Sequence, residues 1–165
     1  MKGKNLIFII AFITLIVLIG GVFLVSKTTQ SPQVAGFQDA KAYVIDATSF
    51  DWGNIPMNGG LMTKTFTIKN TGTDTLKLLN IKTSCHCTKA HVTIDGKKSP
   101  DFGMDGISSW VGEVTPGKEA KLTAIFDPAY HGPQGVGPMN RFVSVETNDR
   151  GISKLAFTLT GTVVK

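Results

Sequence analysis

Thr63 to Lys69 reads TKTFTIK, and its strict alternation leaves the chain little choice of conformation. Phe66 and Ile68 fall on one side, and Thr65, Thr67 and Lys69 on the other. That is the period of two of a strand with one buried face. The turn cluster Asn70-Thr71-Gly72-Thr73-Asp74 follows at once. The same rhythm returns along the chain. Leu76 to Ile81 is apolar, and Lys89 to Ile94 reads as a short strand. Glu119 to Phe126 places Ala120, Leu122, Ala124 and Phe126 in alternation. Arg141 to Thr147 carries Phe142, Val143 and Val145, and Leu155, Phe157 and Leu159 close the pattern. Turns stand between them at Pro116-Gly117 and Asn148-Asp149-Arg150-Gly151. About seven short strands with turns between them predict an all-β, immunoglobulin-like two-sheet sandwich.

One segment obeys a different rule. Leu6 to Val25 is a run of apolar residues with no charge and one hydroxyl, Thr14. At about 1.5 Å per residue, twenty helical residues span a hydrocarbon core of about 30 Å. The run exceeds the usual signal-peptide core, lacks a small-x-small cleavage site, and has no cysteine after it for lipid attachment. It predicts one N-terminal transmembrane helix that stays in place as a signal-anchor. Lys2 and Lys4 precede it without any acid, which predicts a cytoplasmic N-terminus and an extracytoplasmic domain in a bacterial-type cell membrane. The expected organisation is a cytoplasmic stub and anchor over 1–26, a tether over 27–41 and the sandwich over 42–165. The formal net charge is +5. No basic run with interleaved aromatics occurs, so nucleic acid is not an expected partner. The expected partners are the membrane and an envelope protein.

Two stretches break the strand rhythm. Asp95 to Gly112 holds four glycines, Pro100, Met104 and Trp110, and Pro128 to Asn140 holds His131 and Met139. Long irregular stretches in a small domain are usually functional or disordered.

The order of short motifs is also informative. Phe50-Asp51-Trp52-Gly53-Asn54-Ile55 is followed by Phe66-Thr67-Ile68-Lys69-Asn70-Thr71-Gly72 and then by Thr83-Ser84-Cys85-His86-Cys87-Thr88. Pro116-Gly117-Lys118-Glu119, Phe126-Asp127-Pro128 and Thr147-Asn148-Asp149 complete the series. From Phe50 to Val164 the chain resembles the bacterial family catalogued as domain of unknown function 1573 (DUF1573). The resemblance implies an immunoglobulin-type sandwich, related in shape to the major-sperm-protein-like domains, in a secreted or membrane-anchored protein. It implies no activity. Family members commonly carry Ser-Cys-Gly-Cys-Thr where this chain has Ser84-Cys85-His86-Cys87-Thr88.

Cys85 and Cys87 are the only cysteines, and three readings of them stay open. On an extended strand their Cα atoms would lie about 6.6 Å apart, near the upper limit for a disulfide. Such a bridge would close a loop too small to stabilise much. Alternatively, both sulfurs face one side of the strand and bind a soft metal, first of all Cu+. His86 would then face away. His91, Met104, His131 and Met139 could complete the shell, and the favoured set is Cys85, Cys87, Met104 and His131. In the third reading the thiols are reduced and inert, as buried cysteines often are.

No Gly-x-Ser-x-Gly elbow or phosphate-binding glycine loop is present, and the chain is not expected to be an enzyme. The leading expectation is a membrane-anchored, extracytoplasmic binding module with a copper site. An envelope scaffold with a local Cys85–Cys87 disulfide is the alternative. A thiol–disulfide exchange protein is the third.

Overall fold

The structure is a computed structural model that describes Ile13, Thr14, Ile16 and residues 39–165. The chain divides into two units, residues 1–31 and 32–165. Ile13, Thr14 and Ile16 are helical; the rest of the expected anchor over Leu6 to Val25 lies outside the described residues, as does the tether up to residue 38. Among the described residues no helix is long and apolar enough to cross a membrane. Asp39, read from the sequence as tether, accepts hydrogen bonds from Thr73 N and Thr73 Oγ1 at 3.0 and 2.6 Å. Its neighbour Ala40 is buried.

The period of two sorts the second unit into strands. They are β1 (Ala42–Val44), β2 (Ser49–Pro56), β3 (Met62–Asn70), β4 (Leu76–Thr83), β5 (Thr88–Ile94), β6 (Lys97–Lys98), β7 (Val111–Val114), β8 (Glu119–Phe126), β9 (Gly137–Thr147) and β10 (Lys154–Val164). In β3 the alternation is literal from Thr65 to Lys69: Phe66 and Ile68 are fully buried while Thr65, Thr67 and Lys69 are not. One sheet has the order β1-β3-β8-β5-β6 and the other β2-β10-β9-β4-β7. All pairings are antiparallel except β2 with β10. The architecture is a two-sheet sandwich of ten strands. The three beyond the expected number come from short segments (β6 and β7 among them) whose pairing depends on distant neighbours. The segment before Gly112 is therefore less irregular than it reads, since it holds β6 and the first residue of β7.

Two apolar clusters fill the sandwich. The larger is built on Phe66, Ile68, Leu78, Leu122, Val145 and Phe157. Phe66 and Phe157 meet across the sheets with ring centroids 4.7 Å apart. The smaller contains Ile55, Cys87, Phe126, Met139 and Val163, with Trp52, Met57, Met62 and Cys85 packed against it. It is the end of the core that carries the sulfur chemistry.

Candidate functional site

β4 ends at Thr83 and β5 begins at Thr88, so Cys85, His86 and Cys87 form the connection between strands. The extended geometry expected from the sequence is replaced by a tight turn. Thr88 N–H donates to Cys85 O at 3.1 Å. Thr83 Oγ1 donates to the carbonyl oxygens of Cys85 and Thr88 at 3.1 and 3.0 Å. The curl shortens the Cα–Cα distance to 5.2 Å and leaves the sulfurs at disulfide distance, paired as a disulfide. That separation is inside the ordinary range for a bridge. Cys87 is only 2% exposed, whereas Cys85 is half-buried.

Each sulfur has its own nitrogen neighbour. His131 Nε2 lies 3.5 Å from Cys85 Sγ. Arg141 Nε donates to Cys87 Sγ at 3.1 Å. The donor atoms of Cys85, Cys87 and His131 all lie within 4.8 Å of one another.

The sequence around Asp127 explains how His131 arrives there. Asp127 N–H donates to Cys87 O at 2.9 Å, which ties the end of β8 to the cysteine turn. Asp127 Oδ1 accepts from Ala129 N at 2.9 Å, and Gly132 N–H donates to Ala129 O at 2.9 Å. A single 3₁₀ turn, Gly132–Gly135, follows. A Cβ on Gly135 would lie 3.0 Å from His131 Cβ, so a larger residue there would crowd the histidine.

Arg141 is held from three sides. Its Nη1 donates to Asn140 O at 2.8 Å, its guanidinium carbon lies 5.9 Å from the Phe126 ring centroid, and its Nε meets the sulfur. Trp52 stacks on the other aromatic partner, Phe126, at 6.0 Å. A groove of ≈ 590 Å³, lined by Phe126, His131, Val136, Met139 and Arg141 among others, opens beside the site.

The structure thus brings together three of the four residues favoured from sequence, Cys85, Cys87 and His131. Met104 is 42% exposed. It sits beside Asp105, whose Oδ2 lies 3.2 Å from His86 Nε2. The loop of Met104 therefore attends to His86, which is exposed on the turn. His91 belongs to β5, and its Nδ1 lies 3.3 Å from Asp101 Oδ1. Met139, considered and set aside from the sequence, is the methionine buried in one cluster with Cys87.

Arg141 was missed by sequence reasoning, and a signal for it existed. On β9, Met139, Val143, Val145 and Thr147 are buried in alternation. Arg141 occupies the same inward register. A cation on the core face of a strand needs a partner, and here the partner is sulfur.

Residues 43–99 match a family model described as "Protein of unknown function (DUF1573)". The matched stretch contains the cysteine turn and bears out the resemblance drawn from the ordered motifs. No curated protein is significantly similar in sequence to this chain. Among solved structures, a protein of unknown function from Porphyromonas gingivalis W83 superposes with a TM-score of 0.56 at 18% identity. The match covers 79% of this chain and 49% of that one, so this chain spans about half the length of that relative. It shows the fold. A PapD-like domain of human CEP192 superposes at 0.47 with 17% identity, over 82% of this chain and 94% of that one. The YadV chaperone superposes at 0.46 with 7% identity, over 75% and 52%.

Proposed function

We propose that this protein is a non-catalytic binding module that holds one Cu+ at Cys85, Cys87 and His131. In this reading Leu6 to Val25 anchors it in the membrane, with the domain outside the cytoplasm, and an envelope protein exchanges the metal with it. The length and lack of charge of that run support the anchor.

The donor spacing supports the metal. A three-coordinate ion with bonds of about 2.0–2.3 Å spaces its ligands roughly 3.5–4 Å apart. His131 Nε2 is already 3.5 Å from Cys85 Sγ. Reduction has only to let the two sulfurs separate by a further about 1.5–2 Å, within reach of a turn at this site. Two thiolates and an imidazole are a soft donor set, suited to Cu+.

The observation that carries the choice of ion is Arg141 Nε, 3.1 Å from Cys87 Sγ. Two thiolates around a monovalent ion leave one net negative charge, which the guanidinium balances in a half-buried place. Around Zn²⁺ the same shell would be neutral, and the guanidinium would face no counter-charge. Met139 is the buried thioether of the cluster that holds Cys87, and we take it in place of Met104 as the fourth candidate.

The test is anaerobic titration of the reduced, full-length chain in detergent with Cu+, read by metal analysis and competition with a chelator. One copper per chain is expected, and none in Cys85→Ser/Cys87→Ser. Met139→Leu should weaken binding while Met104→Leu leaves it unchanged. Absence of copper from the unmutated reduced chain overturns the reading.

A further inference from the structure

The two sulfurs are chemically inequivalent. Cys85 is half-buried at the surface next to His131, and Cys87 is 2% exposed beneath it. Arg141, a permanent cation, donates to Cys87 Sγ at 3.1 Å, whereas Cys85 Sγ accepts the backbone N–H of Cys87 at 3.3 Å and has the His131 imidazole Nε2 at 3.5 Å. Thiol–disulfide exchange depends on which sulfur can be reached and on how well the departing thiolate is stabilised. Here the reachable sulfur and the stabilised leaving group are different residues, and they are the right way round for one direction of attack.

We infer that the Cys85–Cys87 pair is a directional thiol–disulfide exchange centre, in which Cys85 is attacked and Cys87 leaves. A thiolate of a dithiol peptide or protein, its proton already given to solvent, attacks Cys85 Sγ. A new S–S bond forms between the partner and Cys85, and the Cys85–Cys87 bond breaks. The electron pair of the broken bond goes to Cys87 Sγ, which departs as a thiolate held by Arg141 Nε. The partner's second thiolate then attacks the partner sulfur of the mixed disulfide. The partner's own disulfide forms, and Cys85 leaves as a thiolate. The partner is oxidised by two electrons, and the Cys85–Cys87 pair is reduced by two.

The surroundings admit such a partner. The groove beside the site has Val136 exposed on its lining. Tyr130, also exposed, sets its ring 5.0 Å from that of His131 in an edge arrangement. Phe142 is exposed on β9, where its N–H donates to Ser84 Oγ at 2.9 Å, one residue before Cys85. An extended peptide carrying a thiol meets exposed apolar side chains near the sulfur it would attack. Cys87 offers no comparable approach, because Phe126, Met139 and the cysteine turn cover it.

This activity needs no metal and does not rest on the copper reading. Its test is run on the oxidised, full-length chain in detergent with metal chelated throughout. The chain is mixed with glutathione, quenched in acid, alkylated and mapped by mass spectrometry for the position of the mixed disulfide. The adduct is expected on Cys85 over Cys87 by at least about tenfold, the size of a hydrogen bond to a charged group. An even distribution, or an excess on Cys87, overturns the assignment. A peptide with two reduced cysteines supplies the second measurement. One equivalent should be oxidised per chain, and Arg141→Gln should slow the reaction about tenfold. An unchanged rate in that variant removes Arg141 from the mechanism, and no oxidation of the peptide by the unmutated chain overturns the inference altogether. A failed copper titration would leave both results standing, and the converse also holds.

Discussion

Two turns of this sandwich use polar side chains in opposite ways. In the turn after β3, Asn70 is fully buried and spends every group it has on backbone. Its Nδ2 donates to Asp74 O and Val114 O, both at 2.8 Å, and its Oδ1 accepts from Gly72 N at 3.0 Å. Any Cβ on Gly72 would overlap the carbonyl of Asp39. Nothing on the Asn70 side chain is left to meet a ligand. In the turn after β4, the backbone is satisfied by a separate residue, Thr83, which holds the carbonyls of Cys85 and Thr88. The cysteine side chains are then free to collect an imidazole and a guanidinium from elsewhere in the chain. A turn whose side chains close its own hydrogen bonds is structural; one that delegates that task has side chains available for chemistry.

The sharpest break of this comparison is Asn70→Ala. It removes the Asn70 bonds to the carbonyls of Asp74 and Val114 and to the Gly72 amide, which should cost roughly 3 kcal/mol. Denaturant unfolding should show the loss. Copper bound per folded molecule should stay as in the parent, and a parallel loss of copper from folded protein would mean that the two turns are not separable.

The converse variant is Cys85→Ser/Cys87→Ser. A disulfide closing three residues contributes only about 1.6 kcal/mol by loop entropy. The midpoint of unfolding should therefore move less than in Asn70→Ala, while copper binding and exchange vanish. If the double variant unfolds at room temperature, the cysteine turn is a structural staple, and the contrast drawn above is wrong.

What could be read from the sequence follows the same division. β3 and β8 were legible because a period of two depends on neighbours in the chain, and Phe66 and Leu122 need only each other's sheet. The all-β class followed from repetition of that pattern. β6 and β7 were not legible, since two lysines and a Val-Gly-Glu-Val segment become strands only when β5 and β4 lie alongside. The parallel pairing of β2 with β10 likewise joins residues about a hundred apart. At the site, the chemistry of Cys85, Cys87 and His131 was readable from residue type, but their geometry was not. A strand template predicted about 6.6 Å between the cysteines, and the Thr83 bonds that curl the turn to 5.2 Å have no signature in hydropathy. His131 over Met104 as a neighbour of sulfur depends on the bond from Asp127 N to Cys87 O. Arg141 could have been found, because a charge in the inward register of β9 breaks the pattern around it.

The smallest expected effect concerns a histidine outside the site, and it tests whether the sheet, away from the sulfur turn, carries an acid sensitivity of its own. His91 stands on β5 with its side chain 14% exposed. Loss of hydration, with Lys98 nearby, holds its pKa below the ordinary 6.5, and Asp101 offsets this only in part. In the window from that depressed value up to 6.5, the unfolded chain binds more protons than the folded one. Stability is therefore complete above the window and falls as pH drops through it. Thermal unfolding at about pH 7.5 and about pH 5 brackets the ordinary titration of histidine. The fall in Tm between the two should be smaller in His91→Gln than in the parent, by a few degrees at most for a domain this size. If the fall in His91→Gln equals that in the parent, His91 on the sheet is not the proton-sensitive element.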